Sequence, residues 1–470
     1  MTVRAALLLF TLLLASGAEA ASRGRYGGTL RVALQGELTE SPDPLLSDAP
    51  HEAAVLALTT RGVCRLERDG RITPQLALEI SRDTPLDVRI TLRPTLRAAD
   101  GTAIGARELA AAWLRPTQAQ SLSPYRALLH PLRGEGRHLS ASSPFQLSLG
   151  LAWPWPDLER SLCHPALSLA PPAPQRGVRA GAGPFLPARA LGVFIANAAY
   201  PGGRPYVERV TVTAGDASAV RRALQLGEAE SGIGATAQGF EPASAPPALW
   251  ATWLVYRPER AGAGLRAAVE RVVDRNDLTR FFVQPPAVAM SSLLPPALMP
   301  QEPPSPQRGT PTPPPSRELT LLYDLSLPDQ RAVSERLQVR LHDAGYRVAL
   351  RGVSRSELRA RWASGDFDLM LHALLLPPAP APALALVLDL AGRRAQLTRE
   401  LQPLGAIADD RERDAKARER ASALRNELEL VPLYAQGVRW VNARSVTNAE
   451  SDAHGVPLLD ELFLLEPGGD

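Results

Sequence analysis

The sequence predicts an α/β protein with more than one lobe, and three observations lead to this prediction. The chain has 470 residues, and the roughly 450 that follow a leader-like start are too many for one core at about 100 to 200 residues per domain. Residues 318–372 read as strand and helix in a β-α-β-α-β order, which favours a mainly parallel sheet. Residues 27–34 place Leu30, Val32 and Leu34 on one face, as in a strand that opens a sheet.

The first twenty residues have the composition of a secretory signal. Arg4 provides an early positive charge, an apolar run extends from Ala5 to Ala15, and residues 18–20 read Ala-Glu-Ala, a small-x-small cleavage site. The apolar run is well short of the ~20 residues that a membrane span requires. We expect cleavage before Ala21, with no cysteine there to carry a lipid anchor, and therefore a soluble periplasmic protein. The alternative is an uncleaved signal that acts as a tether.

The composition argues against a nucleic-acid partner. The formal net charge is +3, and Lys416 is the only lysine among 52 basic residues. The arginines are dispersed along the chain rather than clustered on one predicted face, so no basic surface is indicated. Cys64 and Cys163 are the only cysteines. An exported protein can oxidise them to a disulfide, but single burial of each is equally compatible with their spacing.

The stretch from residue 181 to residue 228 contains the most informative local pattern. It begins Gly-Ala-Gly-Pro-Phe at 181–185, where the glycines permit a backbone turn closed to larger residues. A Pro-Gly-Gly turn at 201–203 separates two strand-like runs. Residues 217–226 then place Val220, Ala223 and Leu224 on one face of a helix.

These motifs resemble those of the extracytoplasmic solute-binding proteins of family 5, the dipeptide, oligopeptide and nickel binders of ABC importers. The family pattern reads G-T-G-P-[YF], then N-P-x-Y-W-G-G-x-P-Y, then a helix that ends in L-x-x-G-E. Further matching segments are Gly-Gly-Thr-Leu-Arg-Val-Ala at 27–33, Asp-Gly-Thr at 100–102 and Leu-Val-Pro-Leu-Tyr at 430–434. The resemblance covers nearly the whole chain after the leader, although the segment near 300–316 is proline-rich and shortened.

The resemblance implies a two-lobed fold of the periplasmic-binding-protein type, class II and cluster C, with a small extra subdomain inserted in the first lobe. The division that we expect is a signal peptide at 1–20, lobe I at 21–50 with 166–255 and 438–470, the inserted subdomain at 51–165, and lobe II at 256–437 with a proline-rich connector at 300–316.

The implied function is that of a periplasmic substrate-binding protein. It captures a peptide-like small solute between two closing lobes and delivers it to ABC permease subunits at the inner membrane, as a monomer and without a cofactor. One alternative is a ligand-sensing receptor of the same fold without a transport role, or a receptor that has lost its ligand. An exported hydrolase is another, although the sequence has no Gly-x-Ser-x-Gly, phosphate loop or His-Glu-x-x-His motif.

One family motif is missing. Peptide binders of the family hold the peptide's α-amine with an aspartate in a W-x-x-D-Y-like stretch, just after the strand that corresponds to residues 366–372. Here residues 374–380 read Leu-Leu-Leu-Pro-Pro-Ala-Pro, with no carboxylate at Pro377. A buried ammonium without an ionised partner costs several kcal/mol. This departure argues against ordinary free-amine peptides as solutes.

By analogy with the family, six side chains face the cleft: Asp48, Pro50, Trp253, Tyr256, Arg355 and Trp362. Arg355 stands where peptide binders tend to have tryptophan, which favours an anionic solute, unless it is an ordinary surface arginine on a helix. Trp253 and Tyr256 are as often core residues as binding residues. Asp48 could meet a cation or cap the helix that follows it.

Metal and dinucleotide sites are not indicated. The seven histidines form no close pair of the kind that binds zinc, and His372 on an apolar strand reads as a core histidine. Residues 262–267 fit a loose Gly-x-Gly-x-x-Ala, but five residues separate them from the preceding strand, whereas a phosphate-binding turn follows its strand directly.

Overall fold

The computed structural model describes residues 26–39, 42–98, 101–132, 139–170, 181–243, 247–300 and 314–465. The predicted signal peptide at 1–20 lies outside these ranges, as does most of the proline-rich connector. Within the described ranges, no helix has both the length and the apolar character needed to cross a membrane.

The strands of the described chain are, in order, β1 (Thr29–Gln35), β2 (Cys64–Leu66), β3 (Ile72–Pro74), β4 (Ala77–Thr84), β5 (Asp87–Leu92), β6 (Leu139–Ser143), β7 (Gln146–Gly150), β8 (Phe185–Pro187), β9 (Val193–Ala196), β10 (Arg209–Gly215), β11 (Ser231–Ile233), β12 (Glu241–Pro242), β13 (Trp250–Tyr256), β14 (Ala287–Ala289), β15 (Leu319–Asp324), β16 (Val348–Val353), β17 (Leu369–Leu375), β18 (Leu430–Gln436), β19 (Trp440–Asn442), β20 (Val446–Thr447) and β21 (Phe463–Leu464).

The α-helices are α1 (Pro50–Thr59), α2 (Ala106–Thr117), α3 (Leu158–Leu162), α4 (Ala217–Gln225), α5 (Pro258–Ala261), α6 (Leu265–Val272), α7 (Arg275–Phe281), α8 (Pro328–Asp343), α9 (Arg355–Ser364), α10 (Pro380–Leu390), α11 (Leu397–Gly405) and α12 (Asp410–Leu424).

The first lobe is built on a seven-stranded sheet in the order β12-β19-β11-β1-β10-β9-β8. β1 pairs in parallel with β10 on one side and β11 on the other, so it is central. Leu30, Val32 and Leu34 are all buried, as the pattern predicted, and Ala33 between them is buried as well. The helix predicted at 217–226 is α4, and the Asp216 carboxylate caps its start by accepting from the backbone amides of Ser218 and Ala219.

The second lobe is built on a six-stranded sheet in the order β14-β18-β13-β17-β15-β16. β15 pairs in parallel with β16 and β17, as the β-α-β-α-β pattern predicted. The prediction of a mainly parallel sheet is nevertheless wrong for the other half, where β13 and β14 pair antiparallel with their neighbours. The reason is that β13 and β18 are the strands by which the chain enters and leaves this sheet, and they run in opposite directions.

The crossing strands also locate the border between the lobes. The sequence division assigned residues 250–255 to the first lobe, but β13 pairs along its whole length with β17 and β18 of the second sheet. All seven residues of β13 are buried. After β18 the chain returns to the first sheet through β19, which pairs with β11.

The inserted segment forms an antiparallel four-stranded sheet in the order β4-β5-β7-β6, together with the hairpin β2-β3. A turn at Asp69 and Gly70 joins β2 to β3, and Gly70 has a positive φ of 85°. A disulfide joins Cys64 on β2 to Cys163 after α3, with the two Cα atoms 4.8 Å apart. The structure therefore decides between the two alternatives that the cysteine spacing left open.

A continuous apolar core joins the insert to both lobes. One cluster of buried side chains contains members of β1, of the insert and of α10. α10 is apolar on all sides except at Asp389, and all eleven of its residues are buried, as expected of a helix without a polar face. The Asp389 carboxylate is paired with the Arg126 guanidinium of the insert at 2.7 and 3.0 Å.

Candidate functional site

A cavity lies between the two sheets, where the lobes face each other. Gln35 and Ile233 contribute from the carboxyl ends of β1 and β11, and Thr252, Ala373 and Tyr434 contribute from the second sheet. Its volume is about 760 Å³, including space open to solvent. Ligands of open α/β sheets bind at this end of the strands. We call this cavity the cleft chamber; its further lining residues are Pro50, His51, Gly234, Trp250, Gln284, Pro285, Leu327, Pro328, Asp329, Gln330, Gln436, Gly437, Val438 and Arg439.

Arg439 lines the cleft chamber and has no counter-ion in the part of the chain that the structure describes. It lies in the three-residue connection from β18 to β19, and its carbonyl oxygen accepts from the Gly234 amide at 2.8 Å, which fixes the backbone. Within the described ranges, no carboxylate forms an ion pair with its guanidinium. Partial burial lowers the pKa of Arg439, and no neighbouring acid offsets this effect. The guanidinium can therefore receive an anionic group from a bound molecule.

Asp329 lines the same chamber, and no cationic side chain of the described residues forms an ion pair with its carboxylate. It lies in the first turn of α8, where the helix dipole favours negative charge. Its Oδ2 accepts from the Gln284 amide at 3.2 Å and from Gln436 Nε2 at 2.7 Å. Burial raises the pKa of Asp329, and these two hydrogen bonds oppose the rise. Its Oδ1 has no partner among the described residues and can accept a hydrogen bond from a solute.

Two buried donors of the chamber also have no acceptor. Trp250 Nε1 and Gln330 Nε2 lack a hydrogen-bond partner in the described part of the chain, although their side chains are only 2% and 1% exposed. A buried donor without an acceptor costs about 1–3 kcal/mol. A bound molecule with acceptor oxygens, or ordered water, would satisfy them.

His51 supplies a neutral imidazole at the edge of the chamber. Burial, with the nearby Arg355 charge, lowers the pKa of His51 to about 3. The ring is therefore uncharged at neutral pH and can both donate and accept a hydrogen bond. The described residues include no group of three or more histidine, cysteine, aspartate or glutamate side chains placed to hold a metal ion. The chamber can thus hold a small polar molecule by charge and hydrogen bonds from both lobes.

Of the six side chains proposed from the sequence, Pro50 lines the cleft chamber. Asp48 and Arg355 instead belong to a buried ion-pair cluster beside it. Arg355 Nε lies 3.3 Å from the Asp48 carboxylate and 3.0 Å from the Asp324 carboxylate. Nη1 of the same side chain lies 2.9 Å from the Glu52 carboxylate. Arg359 adds a second cation, 3.1 Å from Asp48. We call these five residues the lobe-bridging cluster. An anionic solute at Arg355 would have to compete with three carboxylates.

Trp253, Tyr256 and Trp362 are packed into the interior and do not line the chamber. Trp253 is fully buried, and its Nε1 donates to the Leu293 carbonyl at 3.1 Å. Trp362 Nε1 donates to the Leu390 carbonyl at 3.0 Å. Tyr256 lies in the apolar cluster on the far face of the second sheet. The binding roles of these side chains stay predictions that no contact here supports.

The segment that replaces the family's amine-binding motif is apolar and buried. Leu374, Leu375 and Leu376 are at most 1% exposed, and Pro380 begins α10. This segment supplies packing for the lobe interface rather than a polar contact to the chamber.

Four residues of the chamber were not indicated by the sequence: Arg439, Asp329, Gln330 and Trp250. Arg439 belongs to no motif. Asp329 follows Pro328 at the start of a helix, and a Pro-Asp pair at this position reads as an ordinary first turn. Only the pairing of β18 and β19 with different sheets could have indicated that their connection lies at the cleft.

The comparisons with known proteins support the fold. No protein-family model matches the chain, and no curated protein matches it in sequence. The solved structures give matches over nearly the whole chain. The ABC transporter-associated periplasmic binding protein DppA from Helicobacter pylori, in complex with the peptide STSA, is similar with a TM-score of 0.77 at 14% identity, over 94% of this chain and 98% of DppA. The fold is that of a two-lobed periplasmic binding protein.

Two further periplasmic binding proteins are similar. AgaA from A. tumefaciens R10, in complex with agropinic acid, has a TM-score of 0.75 at 16% identity, over 94% of this chain and 99% of AgaA. The murein tripeptide binding protein MppA from Escherichia coli has a TM-score of 0.77 at 16% identity, over 93% of this chain and 98% of MppA. An unliganded open form of MppA has a TM-score of only 0.58 at 15% identity, over 94% of this chain and 99% of MppA. The lobes of this chain are therefore arranged less like that open form.

Proposed function

We propose that this chain is the solute-binding component of an ABC importer, and that it captures a small zwitterionic solute in the cleft chamber. The observation that carries the proposal is the presence in the lining of one interlobe cavity of a cation, Arg439, and a carboxylate, Asp329, neither of which has an ion-pair partner among the described residues. An anionic group of the solute pairs with Arg439. An ammonium or other donor of the solute bonds to Oδ1 of Asp329.

The size of the chamber suits a small molecule. Its volume of about 760 Å³, which includes space open to solvent, lies in the range of cavities that hold small-molecule ligands. An amino acid or a derivative of similar size fits such a cavity.

Asp329 also accounts for solute binding without the family's usual aspartate. The segment at 374–380 has no carboxylate, so a solute amine finds none there. Asp329 provides a carboxylate from the first turn of α8. The solute class therefore differs from the free peptides first implied by the resemblance.

The fold supports the remaining parts of the proposal. DppA is described as ABC transporter-associated, and DppA, AgaA and MppA are all described as periplasmic or solute-binding proteins. We propose a periplasmic location, a monomer, permease subunits as the partner and no catalytic activity. Closure of the lobes on the solute would present it to the permease.

The proposal is tested by calorimetric titration of the protein, exported from its full-length sequence and purified without refolding, with the common amino acids. We expect at least one to bind. Arg439→Gln and Asp329→Asn each remove one charge partner, and each should weaken that binding by about 2 kcal/mol or more, about thirtyfold in Kd.

Arg444→Gln is the matched control, because Arg444 is close in sequence but its side chain is 87% exposed. It should bind like the wild type. Native mass spectrometry of the same material reveals a solute that co-purifies and masks binding. Absence of both a co-purifying molecule and any amino-acid binding would contradict the proposal, as would equal binding by Arg439→Gln and the wild type.

A further inference from the structure

A second cavity lies behind the cleft chamber, between the insert and the segment that precedes β21. Its walls include Leu56 of α1, Tyr125 and His164 of the insert, and Val456 of the C-terminal segment. Its volume is about 670 Å³, again including space open to solvent. We call it the side chamber. No residue proposed above to hold the solute's charges lines it.

The walls of the side chamber are held by strong links. The Cys64–Cys163 disulfide lies in its lining. Arg61, also in the lining, is buried and paired with Asp460 at 2.6 Å. His164 is held by both ring nitrogens, since Nδ1 accepts from the Ala166 amide at 3.2 Å and Nε2 lies 3.1 Å from the Leu375 carbonyl. These links oppose collapse of the cavity if a neighbouring side chain is removed.

Trp250 lines both chambers. It is the first residue of β13, and its side chain is 2% exposed. Its Nε1 has no hydrogen-bond partner in the described ranges, so packing alone fixes the indole. The backbone of Trp250 is paired on both sides, with Leu375 of β17 and Gln436 of β18. The indole therefore lies between the two chambers, on a strand that is paired on both sides.

We propose that Trp250 determines solute size by closing the cleft chamber off from the side chamber. This inference rests on the proposed function, because it concerns the same solute. The polar head of the solute lies between Arg439 and Asp329, and a short side chain ends against the indole. Removing the indole joins the two chambers, so that a longer side chain extends towards Leu56 and Val456.

Linear α-amino acids of increasing length test this role, because the charged groups stay the same and only the apolar side chain grows. The probes are alanine, norvaline, norleucine and 2-aminooctanoate, titrated by calorimetry into the wild-type protein and into Trp250→Ala. Each additional methylene that becomes buried should strengthen binding about fourfold. In the wild type this gain should stop, and binding should weaken, once the tail reaches the indole. In Trp250→Ala the optimum should move to a longer member of the series.

Three further variants serve as controls. Trp250→Phe keeps a ring between the two chambers and should keep the wild-type optimum. Trp155→Ala removes another buried tryptophan that also has an unpartnered Nε1 but lines neither chamber, and it too should keep the wild-type optimum. Trp250→Leu opens a smaller gap and replaces Trp250→Ala if that variant does not fold.

The outcomes are distinct. The same optimum in the wild type and in Trp250→Ala or Trp250→Leu overturns the role of Trp250 and leaves the proposed function intact. If no probe binds to any variant and no common amino acid binds to the wild type, both the role of Trp250 and the proposed function are overturned. A shift that also occurs in Trp155→Ala overturns the role of Trp250, since loss of rigidity alone then produces it.

Discussion

Arg355 Nη1 on α9 lies 2.9 Å from Glu52 Oε2 on α1, and this ion pair joins the second lobe to the insert. The same guanidinium reaches Asp324 at the end of β15 and Asp48 just before α1. Burial and the Arg355 charge act in opposite directions on Glu52, and burial raises its pKa. The lobe-bridging cluster thus holds the faces of the cleft together beside the chamber, before any solute is considered.

Loss of the central cation should destabilise the protein strongly. Arg355→Ala leaves the carboxylates of Asp48, Glu52 and Asp324 with one cation fewer in a buried site, and we expect a loss of about 3–5 kcal/mol in the free energy of unfolding. Urea unfolding measures it. Arg351→Ala is the control, because Arg351 pairs with Glu357 but is 52% exposed, and it should cost less than about 1 kcal/mol. Equal losses would show that the cluster contributes no more than a surface pair.

The buried His51 should make the protein less stable in mild acid. The folded-state pKa of His51 is about 3, well below the ~6.5 of an unfolded chain. Below pH 6.5, His51 binds a proton in the unfolded chain but not in the folded chain. The free energy of unfolding therefore falls by about 1.4 kcal/mol per pH unit as the pH falls from 6.5 towards 3. His51→Gln lacks this penalty.

The free energy of unfolding should therefore decrease between pH 7 and pH 5 by about 2 kcal/mol more in the wild type than in His51→Gln. Urea titrations at the two pH values give the difference. An identical decrease in both proteins would mean that His51 is protonated in the folded state at pH 5, contrary to its buried position.

The disulfide should contribute substantially to stability. Cys64 and Cys163 are 99 residues apart in sequence, and closing a loop of this length restricts the unfolded chain by about 4.7 kcal/mol in the chain-entropy model. We expect Cys64→Ser with Cys163→Ser to lose about 2–5 kcal/mol. Dithiothreitol should lower the melting temperature of the wild type and leave that of the double variant unchanged. A wild-type protein whose thiols react with Ellman's reagent after denaturation without reductant would contradict the pairing.

Gly183 in the first motif should not tolerate a side chain. A Cβ at this position would lie 2.2 Å from the Thr59 carbonyl carbon and 2.6 Å from the Thr60 nitrogen, both of which are backbone atoms. Gly183→Ala should therefore cost more than the roughly 1–3 kcal/mol of ordinary overpacking. Gly227→Ala is the comparison, because Gly227 has open space and only a positive φ of 68°, which costs about 1–2 kcal/mol. A smaller loss at Gly183 than at Gly227 would contradict the observed packing.

The local patterns predicted the fold well, because each depended on contacts close in sequence. β1 and the helix α4 both lie where their periodicity placed them. The antiparallel half of the second sheet could not be read in the same way. All seven residues of β13 are buried, so no alternation distinguishes the face towards the cleft from the face towards the core.

That same feature explains why the sequence pointed to Trp253 and not to Trp250. Trp250 and Trp253 lie on one strand whose two faces are both covered, and only the three-dimensional arrangement shows that Trp250 reaches the chambers while Trp253 is bonded to Leu293. The partners of Arg355 were equally hidden, since Glu52 is 303 residues away in sequence. Charge–charge contacts at such separations leave no periodic pattern in the sequence.

A crystal structure of the exported protein, soaked with the amino acid that binds most tightly, would show directly whether the cleft chamber holds the solute. We expect density for one molecule in that chamber, with its anionic group at the Arg439 guanidinium and its amine at Oδ1 of Asp329. Density for water alone in that chamber, or for the amino acid bound elsewhere with Arg439 and Asp329 untouched, would contradict it.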